Sequence, residues 1–261
     1  DWDDLTVLNE ELEKRGMSLV RDIVTNHAEF DSPLIQSHPH WFHEPRSIEN
    51  WSDPEEVVVG QVHGLPDLAQ EEPEVQQFLI EAVLYWLQKS NASALRVDAV
   101  RHLPAPFLKE LKKAIVEAHG NDVELIGEIF EGDPSKLAAS WQATDLDRVF
   151  DFPLHYALID TLCESAGVGR LAEILSLDRL YDDPRRLVTF LDNHDVPRLA
   201  SRCEAKQAEH ALRLLAGLRG TPSLTWGTEV LSEGAEEPEN RVVASLSPEP
   251  GSELAILRDP L

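Results

Sequence analysis

Strand–helix alternation along most of the 261 residues predicts an α/β fold, a parallel sheet with helices packed outside it. Three observations carry this expectation. Short apolar runs recur at 18–24, 94–100, 124–130, 148–152, 187–191 and 223–226. Amphipathic stretches of helical period separate them. The length falls within the usual size of one α/β barrel and suffices to bury most apolar surface.

In chain order, Leu5, Leu8 and Leu12 recur at helical spacing, and Gly16 falls where such a helix stops. The run 18–24 (SLVRDIV) reads as a buried strand. Residues 28–74 are rich in Pro, His, Asp, Glu and Trp and keep no period, so they read as a functional insertion rather than a connection. A strong helix follows, with Val75, Phe78, Leu79, Ala82, Val83, Trp86 and Leu87 on one face. Then come a strand at 94–100, a helix at 107–118 and a strand at 124–130. Further strands are expected at 148–152, 187–191 and 223–226, with helices at 154–164 and 206–218. After Gly227 the chain carries Pro238, Pro248, Pro250 and Pro260, with only short strand-like runs at 242–246 and 254–257.

The charge balance removes whole classes of partner. With 48 acidic against 23 basic side chains, the net charge is −25. Nucleic acid is therefore excluded as the main partner, and an anionic membrane surface is disfavoured. No run of eighteen apolar residues is present to span a bilayer. Residues 1–4 (DWDD) show neither the basic nor the apolar region of a signal peptide. The acidity itself reads as surface solubility or, given only seven lysines, as adaptation to high salt. Cys163 and Cys203 are the only cysteines, too few for a disulfide framework or a cysteine-rich metal site. They pair only if their helices are neighbours.

The residues of chemical interest cluster at strand ends. On a strand, Arg96 and Asp98 share one face while Leu95, Val97 and Ala99 share the other. A buried ion pair seldom improves on apolar packing, and the C-terminal ends of parallel strands are where barrel enzymes keep their active sites. Glu128 and Asp195 follow the apolar runs at 125–127 and 190–194 in equivalent positions. Parallel strands would bring Asp98, Glu128 and Asp195 to one rim, where mutual repulsion raises the pKa of at least one. Glycoside hydrolysis requires such a set: one ionised nucleophile and one protonated acid flanking the bond.

At these residues the sequence resembles the α-amylase family, glycoside hydrolase family 13. Four segments match its regions in order: 22–27 (DIVTNH), 95–102 (LRVDAVRH), 127–130 (GEIF) and 190–195 (FLDNHD). The run 65–68 (LPDL) is similar to a motif near the end of that family's inserted domain B. Residues 220–222 with 227–229 resemble the segment around its eighth strand. The resemblance implies a TIM-type (β/α)8 barrel, here incomplete, with about six strand–helix units, the third to the eighth. Residues 1–27 and 75–245 would form the partial catalytic barrel, 28–74 the domain B insertion and 246–261 a tail. The first two strands and a C-terminal domain are expected to be absent.

Roles follow from the resemblance. It implies that Asp98 is the nucleophile of a retaining double displacement on α-1,4-glucans such as starch, and Glu128 the acid/base. Asp195 would stabilise positive charge and bind sugar hydroxyls. Arg96 would hold Asp98 ionised, and His27, His194, Arg101 and His102 would complete the substrate-binding set. Asn26, Asp67 and the backbone carbonyl of His102 match positions that hold a structural calcium ion (Ca2+); the alternative is an ordinary polar cluster. A glucan transferase of the same family and a non-catalytic relative are the competing readings. The family also implies an extracellular site of action, while the sequence carries no sign of oligomeric state. Three residues lie outside these motifs: His38, His40 and His43 read as solvated loop rather than a zinc site. Trp41, Phe42 and Trp51 are either sugar-stacking rings or the small core of the insertion. Residues 91–93 (NAS) satisfy the glycosylation pattern, a triplet that often arises by chance.

Overall fold

The computed structural model describes residues 1–241, and the chain divides into two compact units. The first comprises Asp1–Phe130 and Ala139–Val149; the second comprises Glu131–Ala138 and Phe150–Leu261. The tail runs expected at 242–246 and 254–257, like the tail 246–261 itself, lie outside the described residues.

The first unit opens with α1 (Trp2–Glu13), started by a capping box in which Asp1 accepts from the N–H groups of Asp3 and Asp4. Strand β1 (Val20–Ile23) follows. Besides a 3-10 turn at Pro39–Trp41, the chain within 28–74 forms two short α-helices, α2 (Pro33–Ser37) and α3 (Pro54–Val59). Each is begun by a side-chain cap, Ser32 or Asp53, with proline in its first turn, so local capping rather than period nucleates them. Helix α4 (Pro73–Ser90) buries Val75, Leu79, Val83 and Leu87. It ends on Asn91 in the left-handed conformation. Strand β2 (Ala94–Val97), α5 (Ala105–His119) and β3 (Glu124–Gly127) complete the pattern, and α6 (Pro134–Gln142) leads to β4 (Arg148–Phe150).

Within this unit the strands pair in parallel and in chain order. Asp22 lies opposite Arg96, Arg96 opposite Ile126, and Ile126 opposite Arg148. Strand β2 is buried at every position, as expected of a strand with neighbours on both sides. Strand β1 departs from the expected buried strand. Among the described residues it pairs with β2 alone, and Val20 and Val24 are 48% and 49% exposed. Helix α4 packs against both α1 and α5. Gly127 closes β3 because a methyl group there would meet Leu146 and Val100.

The second unit carries α7 (Phe152–Leu162), α8 (Gly169–Ser176), β5 (Leu187–Phe190), α9 (Leu199–Arg202), α10 (Ala205–Gly217) and β6 (Thr221–Ser223). Its core joins Leu154, Leu158 and Ile159 of α7 to Leu191, Leu199 and the α10 residues Ala208, Ala211, Leu212 and Leu215. The last strand begins and ends earlier than the 223–226 expected. It pairs Val188 with Thr221 and Phe190 with Ser223, and residues 225–228 turn away instead. Gly220, at φ +98° with Leu187 O only 2.6 Å from where a Cβ would stand, lets the chain enter this strand. Cys163 and Cys203 form a disulfide across a Cα–Cα distance of 4.7 Å, joining the ends of α7 and α9.

Candidate functional site

In the first unit the expected acidic residues stand where their strands end. Strand β2 stops at Val97; Asp98 N–H then donates to Ile23 O and Ala99 turns to φ +50°. A positive φ at a residue with a Cβ is uncommon and is held by surrounding bonds. Here the Ala99 N–H donates to Glu128 Oε2 at 2.9 Å and the Val100 N–H to Glu128 O at 3.0 Å. The twisted backbone after Asp98 therefore anchors Glu128.

Arg96 ties the charges together. Its Nη1 donates to Asp98 Oδ1 at 2.7 Å and to both Asp22 oxygens at 2.8 and 2.9 Å, while Nη2 stands 3.9 Å from Glu128 Oε2. Arg96 and Glu128 are buried, and the Asp98 side chain is 21% exposed, open to a ligand. Burial works against the guanidinium, but the charges of Asp22 and Asp98 outweigh it and hold its pKa above the ordinary value. Asp22 was no candidate from sequence. The signal was its place opposite Arg96 in parallel register, invisible until the strands are aligned.

His27 lies close enough to Asp98 to feel its charge, yet burial dominates and lowers its pKa, so the ring is neutral near pH 7. His102 is likewise lowered by burial; its Nδ1 bonds Val57 O at 2.9 Å and Trp51 meets it edge-on. Arg101 donates to Trp51 O at 2.7 Å and Phe130 O at 3.3 Å. The aromatic residues of the insertion divide: Trp41 is buried against Phe78, whereas Trp51 is 50% exposed.

The calcium expectation can be tested on donor chemistry. Asn26 and Asp67 are fully buried, and Asn26 Oδ1 and Asp67 Oδ1 both lack a hydrogen-bond partner. Two orphaned oxygens in adjacent side chains suit a hard cation, so these residues fit the group. Asp67 has its pKa raised by burial, against the opposing pull of His43. His43 is not solvated loop: it bonds Asp67 Oδ2 at 2.6 Å and Glu71 Oε1 at 2.7 Å. Those two bonds, the one to Asp67 foremost, raise its pKa to about 9. His38 and His40 stay near the surface around Trp41.

In the second unit β5 runs into the segment bearing His194 and Asp195. Asn193 Oδ1 accepts the N–H groups of Asp195 and Val196 at 2.8 and 3.1 Å, a side-chain turn that fixes the Asp195 backbone. The Asp195 carboxylate faces His194 Nε2 at 3.1 Å and Arg241 Nη2 at 2.9 Å.

The family description "alpha amylase, catalytic domain" matches residues 1–248. The chain belongs to the α-amylase family. An α-amylase from Geobacillus thermoleovorans, solved with acarbose, is 32% identical with a TM-score of 0.89, covering 95% of this chain and 58% of that one. A solved cyclomaltodextrin glucanotransferase is 26% identical with a TM-score of 0.85, covering 95% of this chain and 56% of that one. The beta/alpha-amylase of Paenibacillus polymyxa is 28% identical over 260 residues, 92% of this chain and 21% of that protein. The chain thus spans well under two thirds of the length of each of these relatives. As in those solved α-amylase-family structures, the architecture is that of a TIM barrel, here incomplete: six parallel strands among the described residues, each followed by helix or turn. No helix among these residues is long and apolar enough to cross a membrane.

Proposed function

We propose that this α-amylase-family chain carries the catalytic centre of a retaining glycosidase acting on α-1,4-glucans. The observation that carries the reading is the Arg96-centred cluster. A carboxylate held by a guanidinium on one side and partly open on the other is suited to attack an anomeric carbon. In this reading Asp98 forms the glycosyl bond as the leaving oxygen takes a proton from Glu128. Glu128 then removes a proton from water, which displaces Asp98 with net retention. Asp195 stabilises the positive charge that develops on the ring, His194 bonds sugar hydroxyls, and so does the neutral ring of His27. Proton NMR of early maltooligosaccharide hydrolysis is expected to show the α-anomer first; the β-anomer first would overturn the double displacement. Longer products accumulating early would instead favour the transferase reading, which the glucanotransferase neighbour supports.

Asn26, Asp67 and the His102 carbonyl would hold a calcium ion, which would supply rigidity between the barrel strand end and the insertion rather than a chemical step. Millimolar calcium is expected to raise the melting temperature by several degrees. The shift should vanish in Asn26→Ala, and equal melting with calcium and with chelator would remove the proposal. The reading favours an extracellular setting, for which a cell-fractionation experiment on the native source is the test.

A further inference from the structure

The segment that carries Asp195 is fastened at both ends by a buried charge cluster. Asp192, Arg198 and Thr228 are each 2% exposed. Asp192 Oδ2 accepts from Arg198 Nε at 3.1 Å and from the Leu199 N–H at 2.9 Å. Its Oδ1 accepts from Thr228 Oγ1 at 2.7 Å, and its backbone oxygen from Thr225 Oγ1 at 2.8 Å. Arg198 Nη2 reaches the Thr228 hydroxyl at 3.1 Å and Trp226 O at 2.9 Å, and its own N–H donates to Gly234 O at 2.8 Å. Residues 192 and 198–199 are thereby joined into a closed loop, and that loop is bolted to the turn at 225–228.

Burying an ion pair this completely is a poor route to stability, since desolvation offsets most of the attraction. What the cluster does supply is geometry. Every oxygen of Asp192 is committed, Arg198 uses its fork in two directions, and the five residues between contain the Asn193 turn that aims Asp195. We propose that Thr228 and Arg198 are positioning residues which, through Asp192, set the carboxylate of Asp195 for the transition state. This rests on the reading of Asp195 as the charge-stabilising carboxylate. Thr228 is the most telling member because a single hydroxyl both donates to Asp192 and accepts from Arg198. A displacement of the order of 1 Å at a catalytic group costs up to about a hundredfold in rate.

Kinetics of the protein on maltooligosaccharides, run well below each variant's melting temperature, tests the assignment. Thr228→Val keeps the shape and removes the hydroxyl; kcat is expected to fall about 10- to 100-fold with KM changed less than about threefold. Thr228→Ser should restore kcat to within about threefold. Arg198→Lys, which cannot fork, should repeat the loss and serves if Thr228→Val does not fold. Wild-type kcat in a folded Thr228→Val, or an equal loss in Thr228→Ser, overturns the proposal. Asp195→Asn separates the two levels. If Asp195→Asn is severely impaired while Thr228→Val is not, only the positioning role fails. If Asp195→Asn retains wild-type kcat, the reading of Asp195 fails and the positioning role with it.

Discussion

Asp98→Asn is expected to lower kcat on maltooligosaccharides by about 10⁴-fold or more, the scale seen when a nucleophile is removed from a preassembled site. The substitution conserves shape and removes charge, so the effect is chemical rather than architectural. Arg96 does not become an unpaired buried cation, because its bonds to both Asp22 oxygens remain. The Ala99–Glu128 contact, made by backbone and a different side chain, is also retained. Melting temperature should therefore change by only a few degrees. Asp98→Ala with sodium azide offers a sharper reading, since removing the carboxyl group leaves a space that a small anion can take. It should restore part of the turnover and yield the β-glycosyl azide, the inverted product. A variant within about tenfold of wild type would remove Asp98 from the nucleophile's role.

Acid should weaken the second unit by about 3 kcal/mol between pH 6.5 and pH 4, through His155. His155 is 4% exposed, stacked on Phe190 at 4.7 Å with the rings 6° from parallel. Burial lowers its pKa to about 4 from 6.5, against the upward pull of its hydrogen bond to the Leu191 backbone. Below 6.5 the unfolded chain takes up a proton that the folded chain refuses, so stability is complete above 6.5 and falls until about pH 4. Few carboxylates titrate in the upper half of that window, which isolates the histidines. His27 and His102, also lowered, add with the same sign. His43, raised to about 9, acts oppositely: its contribution is complete below 6.5 and is lost as pH rises toward 9. Urea unfolding at pH 7, 5.5 and 4.5 measures the slope. Unchanged stability across the three, or a slope that survives His155→Gln undiminished, would refute the assignment.

Most of the first unit was legible because its signals are local. Of the expected α4 face, Val75, Leu79, Val83 and Leu87, four residues apart, are buried, whereas Phe78 and Trp86 at its margin stay 38% and 37% exposed. The Arg96–Asp98 pair followed from alternation along a single strand. What escaped depends on partners distant in sequence. Helices α6 and α8 span only nine and eight residues, too few turns for a helical period to be told from a short apolar run. Trp41 and Trp51 have the same chemistry ten residues apart, and only the contact with Phe78 put one of them inside.

The sequence by itself determined the family, the order of the strands and longer helices, and which carboxylates occupy strand ends, because each is encoded in a few neighbouring residues. Tertiary structure alone decided that Asp22 shares Arg96 with Asp98, that His43 is clamped between Asp67 and Glu71, and that Cys163 meets Cys203. It likewise decided that Asp192, Arg198 and Thr228 close around the Asp195 segment. These are charges and polar groups taken out of water, where each must find its partner at hydrogen-bond distance. That partner stands 36 residues from Asp192 in the case of Thr228, and 74 from Arg96 in the case of Asp22.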